Sequence, residues 1–152
     1  MKAAYLEMIR MIERLHRQCL ELVKAEIERE GIRDLNNVQA LIIFNIGEGE
    51  VTVGELTQRG YYLGSNVSYN VKKLVENGYL VQERSPHDRR STHVRVSEKG
   101  MVIFKHLDSL FEKHSSDMQE LGLSADELNS AGDTLSRLLR YWSTPEHFSA
   151  RG

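Results

Sequence analysis

The sequence has few of the residues that cross-link or rigidify small proteins: one cysteine and two prolines in 152 residues. The lone Cys19 excludes an intramolecular disulfide and any metal site built from several cysteines. No run of about 18 apolar residues occurs, so we expect no membrane-spanning helix and no membrane partner. The first residues mix charged and apolar side chains without the apolar core of a signal peptide, which predicts a cytoplasmic protein.

The motifs of common enzyme classes are also missing. The sequence contains no phosphate-binding glycine loop, no GxSxG nucleophile turn and no HExxH zinc motif. The six histidines are scattered, and His106 and His114, the pair that shares a predicted helix, lie about two turns apart, too far to chelate one ion. We therefore expect no enzymatic activity, no cofactor and no metal site.

The net charge of −2 hides an uneven distribution along the chain. Residues 1–50 carry 7 basic and 9 acidic side chains, and residues 101–152 carry 5 and 8. Residues 51–100 carry 8 basic and 5 acidic side chains, a local charge of +3. A basic middle segment between acidic ends is typical of a local nucleic-acid-binding module.

Apolar residues at three- and four-residue spacing predict long helices over 3–30, 98–120 and 125–142. Their apolar stripes are narrow, as in helices that pack against other helices. We expect them to form a homodimer interface, with an intramolecular helical cap as the alternative. The predicted interface residues are Tyr5, Ile12, Leu15, Leu128, Leu135, Leu138 and Trp142.

Shorter elements are predicted between these helices. A helix over 35–46 should bury Val38, Leu41, Ile42 and Ile46, and Gly47 should end it. Thr52 and Glu55 have the spacing of a capping box at the start of a helix over 53–59. A second capping box, Ser124 with Glu127, is predicted before the last helix.

A further helix is predicted over 65–77, with Ser65 as N-cap and Gly78 as the stop. Val67, Val71, Leu74 and Val75 should form its apolar stripe, with polar residues on the opposite face. Two strands, 79–84 and 92–96, follow and enclose a basic loop, and Ser97 should cap the next helix. The order predicts a mainly α protein with a small β-hairpin, a winged helix–turn–helix over 35–99 flanked by dimerisation segments 1–34 and 100–152.

The helix over 65–77 has the composition of a helix that reads the DNA major groove. Such a helix needs one apolar face for anchoring and one face of hydrogen-bonding or cationic side chains. The alternative is an ordinary solvated face, but that face would normally carry mixed Glu and Lys. The predicted DNA contacts on this helix are Ser65, Asn66, Ser68, Tyr69, Asn70, Lys72 and Lys73.

The loop between the two strands is the second predicted DNA contact. Arg89 and Arg90 can enter the narrow minor groove, where the negative potential is strongest. Asp88 can orient Arg90 through a bidentate pair, and Ser91 completes the predicted contact set. The alternative is a solvated turn in which Asp88 bonds the local backbone.

The middle third of the chain resembles the MarR family of winged-helix regulators. The resemblance lies in the S-N-V-S start of the 65–77 helix, the L-V-E-N-G-Y-L junction, the D-R-R-S loop and the V-S-E-K-G segment after it. The GYYLGSNVSYN stretch is most similar to the LdtR-type group. The resemblance implies a dimer that binds double-stranded DNA at a pseudo-palindromic site, with Arg90 as the wing arginine. Many members have arginine in place of Tyr69, and Gly60 replaces a usual hydrophobe.

The resemblance also implies a small aromatic or phenolic effector, and repression as the direction of control. The predicted pocket lies near His16, Cys19, Leu41 and Asn45, between the first helix and the 35–46 helix. Cys19 lies on an apolar stripe, where a cysteine is usually a small buried hydrophobe with a raised pKa. Two alternatives stay open: redox sensing through Cys19, and an architectural or protein-interaction module without specific DNA readout.

Overall fold

The computed structural model describes residues 1–59, 64–85 and 91–147, and only the backbone of residues 64, 65 and 147. The chain divides into two compact units, Met1–Leu110 and Phe111–Gly152. The described chain is mainly helical with one small sheet, as predicted. Its helices are α1 (Lys2–Arg29), α2 (Asn37–Ile46), α3 (Val53–Gln58), α4 (Gly64–Glu76), α5 (Glu98–Glu120), α6 (Ala125–Trp142) and a 3-10 turn (Pro145–His147). The strands are β1 (Glu50–Thr52), β2 (Leu80–Arg84) and β3 (Thr92–Val96).

The helix α1 packs in the first unit through the residues of its C-terminal third. Val23 and Ile27 are buried, whereas Leu15 of the predicted stripe is exposed and Tyr5, Ile12 and Cys19 are half-buried. The side chain of Asn37 donates to the carbonyl of Leu20 at 3.2 Å, which ties α2 to α1. The predicted stripe is therefore left largely uncovered within one chain.

The helix α2 begins at a capping box that the sequence analysis missed. The side chain of Asn36 accepts from the amide of Gln39, and the side chain of Gln39 accepts from the amide of Asn36. Gly47, with φ of 63°, ends the helix as predicted. The predicted inward face was partly wrong: Ile42, Ile43 and Ile46 are buried, while Val38 and Leu41 are only half-buried.

The sheet has three strands in the order β1-β3-β2, all antiparallel. The hairpin β2–β3 was predicted, and Leu80 pairs with Val96 at its base. The strand β1 was not predicted, and it pairs with the other edge of β3 through Val51 and Val94. Because β1 runs directly into the Thr52 cap of α3, the sheet is joined to the helix–turn–helix.

The caps around the helix–turn–helix largely follow the sequence. The Thr52–Glu55 capping box is present, and Gly78 has φ of 81° after α4. The hydroxyl of Ser97 accepts from the amide of Gly100 at 3.1 Å, so Ser97 caps α5 as predicted. The predicted N-cap at Ser65 was wrong, because α4 already begins at Gly64.

In the second unit, the Ser124 hydroxyl accepts from the amide of Glu127 at 3.1 Å. The Glu127 carboxylate lies 3.3 Å from the same hydroxyl, so the structure has the Ser124 half of the predicted capping box. No residue of α6 is buried in the single chain. No helix of the described chain is both long enough and apolar enough to cross a membrane.

Candidate nucleic-acid interface

The helix α4 has one buried face and one solvent-facing side. Val67, Val71 and Leu74 are buried inside the first unit, as predicted from their spacing, and Val75 is half-buried. Asn66, Ser68, Tyr69 and Lys72 are exposed. The apolar face anchors the helix, so the opposite side faces solvent.

Asn70 is the exception among the residues predicted to contact DNA. It is 8% exposed, and its side-chain nitrogen donates to the carbonyl of Asn66 at 2.8 Å. Its side-chain oxygen accepts from the Gln39 amide group at 3.2 Å. Asn70 therefore docks α4 onto the start of α2, and its assignment to the DNA-facing side was wrong.

The exposed side of α4 carries several side chains that can form hydrogen bonds with a ligand. Tyr69 is 61% exposed, unusual for a large aromatic residue. The ammonium of Lys73 lies 6.0 Å from the Tyr69 ring centroid and 3.5 Å from a carboxylate oxygen of Glu76. Lys72 is exposed and pairs with no carboxylate in the parts of the chain that the structure describes. The side chain of Ser65 lies outside the described residues.

The β2–β3 hairpin follows α4 directly in the sequence. The amide of Ser85 donates to the carbonyl of Ser91 at 3.0 Å, so the ladder continues one pair beyond β2 and β3. Arg95 pairs across the hairpin with Glu83 at 3.3 Å. Ser91 is half-buried, and the predicted loop contacts Asp88, Arg89 and Arg90 lie outside the described residues.

A polar cluster that the sequence analysis did not identify fixes the base of the hairpin. The Tyr79 hydroxyl donates to Asp34 at 2.5 Å, and Lys99 donates to the other oxygen of Asp34 at 3.3 Å. The Lys99 ammonium also lies 4.3 Å from the Tyr79 ring centroid. Chain separations of 45 and 65 residues explain why no local pattern indicated these contacts.

The cluster shifts the pKa of the Asp34 carboxyl group and of the Tyr79 hydroxyl group. The hydrogen bond from Tyr79, together with the charge of Lys99, lowers the pKa of Asp34. Burial, reinforced by the nearby Asp34 carboxylate, raises the pKa of Tyr79. The cluster therefore holds an ionised Asp34 and a neutral Tyr79 at physiological pH.

The four residues predicted to line an effector pocket differ in exposure. His16 is exposed, and Cys19, Leu41 and Asn45 are half-buried. A cavity of about 430 Å³ does lie beside α1 and the start of α2, and its lining includes none of those four residues. It is lined by Arg14, Arg17, Gln18, Leu20, Glu21 and Asn37.

Cys19 has the character of a small hydrophobe. It is half-buried, and burial raises the pKa of its thiol. Because the thiolate is the reactive form, a raised pKa lowers the reactivity of Cys19 towards oxidants. The predicted core role is only partly met, because Cys19 is half-buried, and the raised pKa of its thiol disfavours redox sensing.

Comparison with known proteins decides the family. Residues 35–100 match the family model of the winged helix DNA-binding domain. Over 144 residues the chain is 34% identical to the exopolysaccharide II synthesis transcriptional activator ExpG of Rhizobium meliloti, covering 95% of this chain and 74% of ExpG. The chain belongs to the MarR family of winged helix–turn–helix transcriptional regulators.

Solved structures of MarR-family proteins share the fold. Streptococcus pneumoniae FabT, solved in complex with DNA, has a TM-score of 0.68 at 22% identity, covering 90% of this chain and 96% of FabT. A MarR variant from E. coli, complexed with operator DNA, has a TM-score of 0.68 at 17% identity, with coverage of 90% and 96%. With the transcriptional activator ExpG as a relative, the chain is a transcriptional regulator with a winged helix DNA-binding domain and not an enzyme, as the sequence predicted.

Proposed function

We propose that this MarR-family regulator reads a specific double-stranded DNA sequence through the exposed side of α4. The observation that carries the proposal is the exposure of Asn66, Ser68 and Tyr69 above the buried Val67–Val71–Leu74 stripe. Amide, hydroxyl and phenol groups discriminate bases by hydrogen bonding in the major groove, whereas lysines mainly contact phosphates. In this proposal Asn66, Ser68 and Tyr69 read bases, and Lys72 and Lys73 bind the backbone.

The hairpin loop supplies the second contact of the proposed complex. Arg90, oriented by Asp88, enters the minor groove, and Arg89 and Ser91 approach the phosphates. The ladder bond between Ser85 and Ser91 supports this assignment, because it extends the two strands up to the loop. Membership of the LdtR-type group, which the GYYLGSNVSYN stretch suggests, remains a prediction.

The regulator acts as a homodimer on a pseudo-palindromic site. The apolar seam of α6 supports this part of the proposal, since Leu128 and Leu135 are 51% and 42% exposed in the single chain. The stripe of α1 contains Tyr5, Ile12 and Leu15, and the α6 seam ends at Leu138 and Trp142. Two chains that bury these seams against each other place two α4 helices on the same face of the DNA.

A small aromatic or phenolic effector modulates the proposed complex. The α1–α2 cavity falls within the usual range of ligand pockets, and Arg14 and Arg17 can bind a carboxylate or phenolate. The predicted pocket residues His16, Cys19, Leu41 and Asn45 do not line this cavity and remain a prediction. An effector acts here only if it binds the DNA-competent and DNA-free conformations with different affinities.

Repression is the proposed direction of control, because a dimer that covers promoter DNA blocks polymerase without further contacts. Activation is the second candidate, since the relative ExpG is named a transcriptional activator. A reporter driven by the bound promoter separates them in cells with and without the regulator. Higher reporter output without the regulator supports repression, and lower output supports activation. Either action takes place on chromosomal DNA in the cytoplasm.

The proposal is tested by fluorescence-anisotropy titration of DNA from the region upstream of the regulator's own gene. A scrambled fragment of equal length is the control, and both are titrated at two salt concentrations. We expect the upstream fragment to bind about 10³-fold or more tightly, with a marked loss of affinity at higher salt. Equal binding of both fragments would instead support an architectural winged helix without specific readout.

A further inference from the structure

Three side chains with metal-binding donor atoms meet where the end of α1 approaches α5. Glu26 lies in the last turn of α1, Glu30 is the C-cap residue that follows this helix, and His106 lies on α5. One donor atom from each residue lies within 4.8 Å of the other two. The residues are separated by up to 80 positions in the sequence, so only the fold brings them together.

The surroundings of the cluster leave its donors available. Glu26 is 8% exposed and accepts from Arg29 at 2.6 Å through one carboxylate oxygen. A carboxylate has two oxygens, so Glu26 can keep this partner and still offer a donor. The imidazole Nε2 of His106 lies 3.7 Å from a carboxylate oxygen of Glu30, and both side chains are about one-third exposed.

We propose that Glu26, Glu30 and His106 bind one Zn²⁺ ion per chain. Oxygen and nitrogen ligands at about 2.1 Å from a tetrahedral zinc ion lie about 3.4 Å apart. The three donors therefore need to converge by roughly an ångström, which rotation of the partly exposed Glu30 and His106 side chains supplies. Imidazole with carboxylates is a donor set that suits zinc, whereas Mg²⁺ prefers oxygen ligands and water.

The fourth ligand of the proposed site is water. A cavity of about 280 Å³ opens beside the cluster and is lined by Glu30 and His106, so solvent and ions have access from that side. Lys99 also lines this cavity, but its ammonium is 3.3 Å from the Asp34 carboxylate, which offsets its charge. Arg29, bound to Glu26, orients that carboxylate as an outer partner of the metal.

The proposal is tested by competition between the full-length regulator and a chromophoric zinc chelator. The Cys19→Ser background removes the thiol as a competing ligand. We expect one Zn²⁺ per chain, and a loss of affinity in both Glu30→Gln and His106→Ala of at least the 10–100-fold that loss of an outer partner costs. Mg²⁺ in excess should not displace the zinc.

Two matched variants control for charge and for imidazole content. Glu28→Gln removes the same charge from α1, and His114→Ala removes an imidazole from α5, both outside the cluster. Each should bind zinc as tightly as the background protein. Zinc should also raise the melting temperature of the background protein but not of His106→Ala, since only a bound ion stabilises the folded state.

Either of two results would overturn the zinc proposal. If His106→Ala and Glu30→Gln bind zinc with the stoichiometry and affinity of the background protein, or if no variant competes with the chelator, the cluster is only a histidine–carboxylate ion pair. The zinc site does not rest on the proposed DNA readout. DNA titrations of the wild-type regulator in a metal chelator keep the two proposals separate.

Discussion

At the scale of single residues, hydrogen bonds between distant parts of the chain hold the DNA-binding elements in position. Asn70 and Gln39 join α4 to the capping box of α2. Tyr79 and Lys99 join the base of the hairpin to Asp34, in the segment between α1 and α2. Neither group is among the proposed DNA-contacting residues, so we expect both to act by positioning the side chains that do contact DNA.

Replacement of Asn70 tests the first of these links. Asn70→Ala removes the partner of the Gln39 amide group in a buried setting, which should lower the free energy of unfolding by about 1–3 kcal/mol. Chemical denaturation measures the change. Ser68→Ala, on the exposed side of the same helix, should change stability by less than about 0.5 kcal/mol. Equal stability of both variants would mean that the Asn70–Gln39 contact contributes nothing.

The Asp34 cluster predicts a pH dependence of stability. Because the folded-state pKa of Asp34 is lowered, its carboxylate stabilises the fold fully above the unfolded pKa of about 3.9. This contribution is lost as the pH falls through the lowered folded value. Asp34→Asn retains the acceptor for Tyr79 but has no carboxylate to titrate.

Denaturation of wild type and Asp34→Asn at a series of pH values measures this contribution. The wild type should be the more stable protein at neutral pH, and the difference should shrink as the pH falls below about 4. A difference in unfolding free energy that stays constant with pH would contradict the assigned role of the Asp34 carboxylate.

Sequence reasoning failed at Asn70 for a physical reason. Asn70 lies three residues after Val67 and four before Leu74, so helical spacing places it on the same face as the apolar stripe. Its polarity led to the opposite assignment. An amide on an apolar face needs a buried partner, and that partner, Gln39, lies 31 residues away.

At the scale of elements, the close approach of α5 to Tyr79, directly before β2, explains the glycine of the V-S-E-K-G segment. A Cβ at Gly100 would overlap the carbonyl oxygen of Tyr79 and lie 2.6 Å from Val96 Cγ1. One of these contacts is backbone, so the first turn of α5 would have to move away from the sheet.

Gly100→Ala is therefore expected to destabilise the regulator. The strain should cost about 1–3 kcal/mol of unfolding free energy. Gly49→Ala is the matched control, since a Cβ there meets no atom within 4 Å in the described chain and should change the free energy of unfolding by less than about 0.5 kcal/mol. Thermal melts of both variants measure the two effects, and an unaltered Gly100→Ala protein would contradict the close packing.

Elements with local signals were predicted, and elements defined by distant partners were not. Helix α3, the Ser97 cap and the β2–β3 hairpin have capping residues or turn residues at fixed spacing. The strand β1 has three residues, and its partner in β3 lies more than 40 positions away. The helix α2 is apolar over most of its surface, so its spacing does not select the buried face.

At the scale of the whole molecule, the proposed dimer explains the apolar seam of α6. In a single chain, α6 has no buried residue, although Leu128 and Leu135 recur on one face. Such a seam is covered in an obligate interface. In the proposed dimer, the winged-helix lobes of the two chains act together on one DNA site.

A charge on the seam should break the dimer. Leu135→Asp places a carboxylate in the proposed interface and should give monomers at concentrations where the wild type is dimeric. Sedimentation velocity measures the molecular mass. Ser136→Asp adds the same charge on a different face of α6 and should leave the dimer intact. A dimeric Leu135→Asp protein would place the interface elsewhere.

The most direct test of the account is an affinity profile over all single-base variants of the bound DNA, for wild type, Asn66→Ala and Lys72→Ala. Asn66→Ala should change the preferred base at one position of each half-site by about 1–3 kcal/mol. Lys72→Ala should weaken every sequence equally and reduce the salt dependence. If Asn66→Ala keeps both the affinity and every base preference of the wild type, the exposed side of α4 does not read the DNA sequence as proposed.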